Sequence, residues 1–266
     1  MPSMQQLDFT VYGDDLQFVE ITLDPNESVV AEAGGMMYMD DGVTMDATLG
    51  DGSASSAGLM GALMSAGKRL LTGESLFITV FHNPTSMKRR VAFGAPYPGK
   101  IVPINLAEIG GELIAQKDAF LCAAKGASIG IAFNKKIGAG LFGGEGFIME
   151  RIQGDRTAFI HAGGTLINRD LAPGEVIKVD TGCIVAFTRG VDFDIQFVGG
   201  IKSALFGGEG LFFATLRGPG RIWLQSLPLS RLADRLYAAA RHEGGRSREE
   251  GSILGGLGRL IDGDNR

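Results

Sequence analysis

The peptide LFGGEGF at residues 141–147 returns as LFGGEGL at 205–211 and, more faintly, as LLTGESL at 70–76. Its glutamates, Glu74, Glu145 and Glu209, stand 71 and 64 residues apart, so three units of similar length follow one another. Repetition at this scale means one supersecondary unit stacked or closed on copies of itself. The flanks repeat too: residues 110–123 line up with 173–186 at a constant offset of 63, and residues 25–37 precede their counterparts in the third unit by 148. Each unit reads as turn, strand, short gap, strand, the LFGGEG motif and a hairpin.

Glycine supplies 41 of 266 residues, about twice its average usage, and short β-branched and aromatic runs lie between the glycines. That pattern predicts an all-β body over residues 1–226, with units at about 7–94, 95–168 and 169–226 in a pseudo-threefold arrangement. Residues 7–12 and 17–23 read as two strands around a turn at Gly13, Asp14 and Asp15, and the extended pattern resumes at 28–31 and 36–39. The cluster Met36, Met37 and Met39 is expected to fill the core, methionine being suited to irregular gaps. LFITVF and KRRVAF, either side of Asn83-Pro84, read as a hairpin. Residues 59–71 read as a short helix behind a flexible loop; its Leu59, Met60, Leu63 and Met64 would pack on the sheet or touch a partner.

Near Ser226 the apolar period changes from two to about 3.6. Leu229, Leu232, Ala233, Leu236, Tyr237 and Ala240 share one face of a predicted amphipathic helix over 227–242, with Arg231, Asp234, Arg235 and Arg241 opposite. The Gly-rich remainder, 243–266, reads as a disordered tail. Leu229, Leu232, Leu236 and Tyr237 are candidates for a partner or membrane contact, the alternative being that the helix docks on the β body.

Composition removes several function classes. The net charge is −5, which provides no electrostatic footprint for a phosphate backbone, so nucleic acid is not an expected partner. The longest uncharged stretch, 52–67, has 16 residues, short of the roughly 20 a spanning helix needs. The start, MPSMQQLDF, has neither the basic cluster nor the apolar run of a targeting segment. Cys122 and Cys183 lie 61 residues apart without a CxxC and read as reduced thiols, hence a cytoplasmic expectation, with a membrane-peripheral position as the alternative.

Gly138, Gly140 and Gly143 spell GxGxxG, but the motif opens into the strand FIMERI, not the helix a dinucleotide site needs. Gly67-Lys68-Arg69 lacks the spacing of a phosphate loop. Glu74, Glu145 and Glu209 are read as structural, each accepting hydrogen bonds within its own turn, with Gly73, Gly143, Gly144, Gly207 and Gly208 providing the backbone geometry. A metal ring of the three glutamates is the minority alternative, and Lys68, Lys136 and Lys202 are available to neutralise them. His82 and His161 nominate no triad, and Lys88, Arg89 and Arg90 read as a solvated face. No catalytic residue and no cofactor is expected.

The order TGESLF at 72–77, LFGGEGF and LFGGEGLF, followed by the helix and the Gly-Leu tail, resembles the altered-inheritance-of-mitochondria family, a bacterial domain of unknown function with a TRAP-like β fold. The resemblance covers about residues 7–240. It implies three TRAP-like β units packed as a pseudo-trimer in one chain and no established catalytic activity. Fungal members are associated with mitochondrial inner-membrane organisation, whereas this chain shows no transit peptide. RNA binding by TRAP-like analogy is disfavoured by the acidity. The resulting expectation is a non-catalytic interaction or scaffold protein that binds a protein partner or self-associates as a homo-oligomer, with peripheral membrane contact as a further mode. The alternative is a small-molecule binder or a hydrolase with a dispersed site; the ligand is unknown.

Overall fold

In FVEITL, Val19, Ile21 and Leu23 are buried while Phe18, Glu20 and Thr22 are half-buried, the period of two expected of a strand with one face on a core. The computed structural model describes residues 6–32, 34–49, 77–135, 147–197 and 212–243. The strands are β1 (Asp8–Tyr12), β2 (Phe18–Leu23), β3 (Ser28–Glu32), β4 (Met36–Met39), β5 (Thr44–Leu49), β6 (Phe77–His82) and β7 (Arg89–Gly94). They continue with β8 (Gly99–Asn105), β9 (Glu112–Gln116), β10 (Phe120–Ala124), β11 (Ser128–Lys135), β12 (Phe147–Gln153) and β13 (Thr157–Gly163). The last are β14 (Leu166–Leu171), β15 (Val176–Asp180), β16 (Ile184–Thr188), β17 (Asp192–Phe197), β18 (Phe212–Arg217) and β19 (Gly220–Gln225), before helix α1 (Leu229–Glu243). The chain is an all-β protein of antiparallel sheets with one C-terminal helix.

Setting β1 aside, the strands fall into three sets of six: β2–β7, β8–β13 and β14–β19. In each set the first strand pairs with the sixth, the sixth with the third, the second with the fifth, and the fifth with the fourth. The second strand of one repeat also pairs with the third strand of the next, β3 with β10 and β9 with β16. Sheets are therefore shared between repeats. The orders β5-β6-β3-β10-β13-β8 and β11-β12-β9-β16-β19-β14 each join half of one repeat to half of its successor. The remaining halves form separate sheets, β15-β18-β17 and β1-β2-β7-β4, so no hydrogen-bonded ladder joins the third repeat to the first among the described residues.

Small irregularities repeat with the strands. A bulge falls between Met36 and Tyr38, between Phe120 and Cys122, and between Ile184 and Ala186, always where the third strand meets the sixth. The turn before each second strand uses a left-handed residue, Asn26 (φ 65°), Gly110 (φ 86°) and Gly174 (φ 77°), a region where glycine and asparagine are least strained. Glu27 and Glu175 close their turns alike, accepting from the amides of Asp24 and Ala172 at 2.9 Å. These markers place the second and third repeats 64 residues apart, not the 63 that matching letters suggests. A one-residue slip exchanges the two faces of a strand, so only 64 brings Cys122 and Ala186 onto corresponding positions.

Three cores result, and each draws on more than one repeat: Val19, Ile21, Phe81 and Phe93 of the first repeat with Phe159 of the second, Leu106, Leu113 and Ile152 of the second with Val30 of the first and Trp223 of the third, and Phe187 and Leu216 of the third with Phe147 and Met149 of the second. The segments LFITVF and KRRVAF do not form a hairpin. β6 pairs with β3 and β5 while β7 pairs with β2 and β4 in another sheet, because Asn83 makes the link a corner. Fully buried, its side-chain amide donates to the carbonyls of Leu23, Asp24 and Met87 at 2.8–3.1 Å and accepts from the amide and hydroxyl of Thr85.

The chain divides into two compact units, residues 1–230 and 231–266. α1 begins at the end of the first, just after Pro228, and makes up the described part of the second. None of its residues, nor any other described helix, is part of a segment long and apolar enough to cross a membrane.

Asn83→Ala leaves three carbonyls without their buried donor, which costs about 2–4 kcal/mol. For a body of this size that is a fall in Tm of roughly 5–15 °C by thermal unfolding; an unchanged Tm contradicts the corner's role.

Candidate interaction surface

The three LFGGEG copies occupy the same connection in every repeat, between β5 and β6, β11 and β12, and β17 and β18. Their residues Gly73, Glu74, Gly143, Gly144, Glu145, Gly207, Gly208 and Glu209 lie outside the described residues, as do the 59–71 segment and everything after Glu243. Among the described residues no group of three His, Cys, Asp or Glu side chains is placed to hold a metal ion. Both cysteines are free thiols, Cys122 buried and Cys183 half-buried. In α1, Leu229, Leu236 and Tyr237 are exposed and Leu232 is half-buried.

Ser28 and His82 face each other across β3 and β6, with the hydroxyl 2.9 Å from Nδ1. A nucleophilic serine needs its histidine oriented by a further group and an oxyanion site nearby. Ser28 is instead buried, and among the described residues no carboxylate hydrogen-bonds His82. An open recess of about 610 Å³ is lined by Glu108, Asp170, Arg189 and Arg221. Its Arg221 is already engaged by Asp170 in a two-point pair at 2.7 and 2.8 Å.

The surface that departs most from its counterparts is β4. All five residues of β10 and the first four of β16 are buried, yet all four of β4 are exposed, with Met37 at 55%. Met36, Met37 and Met39 are thus not core filler. The cause is topological: β10 and β16 are flanked on both edges, whereas β4 has β7 on one edge and no described strand on the other.

Around β4 the outer face of its sheet is organised into two zones. Tyr12 stacks on Phe18 at 4.9 Å, and Phe18 meets Tyr38 edge-on at 6.4 Å. The Tyr38 hydroxyl donates to Glu20, a bond to the neutral phenol that pushes its pKa up to about 12. The charged zone is internally paired: Arg90 grips Asp40 through Nε at 3.2 Å and Nη2 at 3.3 Å, and Lys88 lies 3.0 Å from Asp8 and 3.1 Å from Asp24. Asp40 is held below the usual carboxylate range by Arg90. The methionines of β4, Met36, Met37 and Met39, are exposed and belong to neither set of pairs.

A buried carboxyl and a buried imidazole lie elsewhere in the body. Glu150 is 3% exposed; burial first, and then the Glu32 charge, push its carboxyl up to about 8, Asp118 adding and Lys117 opposing. Register equivalents Thr79 and Ala214 carry no charge, so the fold itself does not demand the acid. His161 is 1% exposed, its ring edge-on to Tyr97 at 4.4 Å, and neither ring nitrogen has a well-formed hydrogen bond. Burial lowers its pKa to about 4, the nearby Tyr97 backbone opposing weakly.

Three tandem six-stranded repeats that share their sheets, with one apolar edge left open, define the class of protein. The chain belongs to the family described as Mitochondrial biogenesis AIM24, whose model matches residues 9–227. It is similar to "Uncharacterized protein M6_Spy0233" of Streptococcus pyogenes serotype M6, 32% identical over 220 residues, covering 82% of this chain and 84% of that one. The crystal structure of protein SPYM3_0169 from Streptococcus pyogenes superposes with a TM-score of 0.69 at 27% identity, over 88% of this chain and all of that chain.

The two buried groups impose opposite pH slopes. Folding keeps Glu150 protonated up to about 8 while the unfolded group ionises near 4.5. Its stabilising term is complete below pH 4.5 and is lost as pH rises toward 8. His161 stays neutral down to about 4 against 6.5 when unfolded, so its term is present above 6.5 and lost as pH falls to 4. Glu150→Gln should therefore raise Tm at pH 8 by roughly 3–10 °C, from about 1–3 kcal/mol, with little change at pH 4.5. An equal effect at both pH values contradicts this assignment.

Proposed function

We propose that this chain is a non-catalytic interaction protein of the cytoplasm that works through the open edge of its four-stranded sheet. The observation that carries the reading is the exposure of β4, apolar along its whole length, at a position that is buried in both other repeats. Soluble proteins shield such edges with charge, proline or a covering segment. β4 has none within its four residues, MMYM. Pairing a strand onto it would supply main-chain hydrogen bonds for affinity, and the methionines and tyrosine would provide side-chain selectivity. The engaged charges of Arg90, Asp40 and Lys88 frame the apolar zone without supplying a reactive group. The net charge of −5 supports a protein partner over nucleic acid.

The test compares full-length protein with the Met37→Asp, Met39→Asp variant as bait in the native cell. These side chains are exposed, so the variant should keep its Tm within a few degrees and lose at least tenfold of the partner proteins recovered. Equal recovery by both, or recovery indistinguishable from a blank matrix, contradicts the reading.

A further inference from the structure

β4 is one of two edges that the repeat pattern leaves unmatched. The other is β15, second strand of the third repeat. Its counterparts β3 and β9 each carry a third strand of the next repeat along one edge, whereas β15 has β18 on one edge and no described strand on the other. Burial records the difference: Val29, Val30 and Ala31 of β3 are buried, and so are Leu113, Ile114 and Ala115 of β9, whereas only Val179 of β15 is. The chain thus ends with the donor edge of its internal junction at one repeat and the acceptor edge at the other.

We propose that β15 of one copy of this chain pairs antiparallel with β4 of a second copy, reproducing between molecules the junction that occurs twice within each. This rests on the interaction reading above and names the partner. Three observations support it. First, the two edges are of matching kind, since the junctions β3–β10 and β9–β16 are built from the same two strand positions. Second, both lie in one compact unit, residues 1–230, and neither pairs with the other there. Both edges are held in place by that unit, so a strand that completes the repeat junction on either one comes from another molecule. Third, β4 is exposed and apolar where its equivalents are buried.

The internal junctions also set the register. Ala31 opposes Cys122 and Val30 opposes Ala123 in the first; Ala115 opposes Ala186 and Ile114 opposes Phe187 in the second. The bulge positions carry this onto the open edges as Val179 opposite Tyr38 and Lys178 opposite Met39. Val179 already belongs to the third core, which Tyr38 would then extend. Lys178 stands where the other repeats have Val30 and Ile114. A lysine on an edge strand weakens edge-to-edge pairing, so here it tunes the junction toward reversible association. Because donor and acceptor edges differ, the contact is heterologous and propagates head to tail until a ring closes.

The experiment uses full-length protein in a Cys183→Ser background with two further single variants, Met39→Cys and Lys178→Cys, and the chain carrying both. A short bismaleimide added to an equimolar mixture of the single variants should give a two-chain product at least fivefold above either variant alone. Light scattering should show mass rising with concentration, and Lys178→Val should move that rise to roughly fivefold lower concentration, the scale of one cross-strand pair. A double variant that yields only a cyclised single chain shows closure within the molecule and overturns the proposal. So does a two-chain product no stronger in the mixture than in either variant alone. If no product forms while the bait experiment still recovers partners through β4, the interaction reading survives and the self-pairing does not. An unchanged or higher midpoint for Lys178→Val overturns the register.

Discussion

Every β-strand has two edges of amide and carbonyl groups that must be hydrogen-bonded to protein or left to water, and in this chain that requirement is met across repeats. Each six-stranded sheet is built from two repeats. The second strand of each looks to the third strand of its successor, so β3 depends on β10 and β9 on β16. Both junction strands are then buried on two faces as well as on two edges, which is why VVA, LIA, LCAA and IVAF are runs without polar interruption. A strand buried on both faces reads as a continuous apolar run; one with a solvated face alternates.

The same rule explains the ends. With no described strand on its second edge, β4 keeps an apolar sequence but lacks the cover; β15, likewise flanked on one edge, alternates the polar Lys178 and Asp180 with its inward Ile177 and Val179. The asymmetry places solubility on one edge and stickiness on the other. The buried titratable groups follow a different logic. Glu150 and His161 each sit at one repeat only, so they set the pH range of the fold without belonging to the repeated design.

Much of this architecture was legible in the letters. The LFGGEG copies announced three units, and the offset of 148 between the first and third survives in the strand registers. Alternation identified β2, and the change of period at Ser226 identified α1. What failed did so for physical reasons. The offset of 63 followed the shared Gly-Glu pair, yet Gly111 is an additional left-handed residue (φ 80°) after Gly110, and it displaces the glutamate by one position. LFITVF and KRRVAF resembled a hairpin because the Asn-Pro turn between them is short; that Asn83 would be buried with its amide binding three carbonyls depends on β2 and β3, distant in sequence. Residue type alone points Met36, Met37 and Met39 to the core, and it carries no information about a missing neighbour strand. The acceptor edge was therefore invisible until the topology was known.

The central claim is that strand protection follows the cross-repeat junctions, and amide hydrogen exchange in dilute solution measures that directly. The account predicts slow exchange in β3, β9, β10 and β16 and exchange at least a hundredfold faster along the outward amides of β4 and β15. Equal protection of β4 and β10 in a dilute single chain would contradict it, because β4 would then have a partner strand that this topology does not contain.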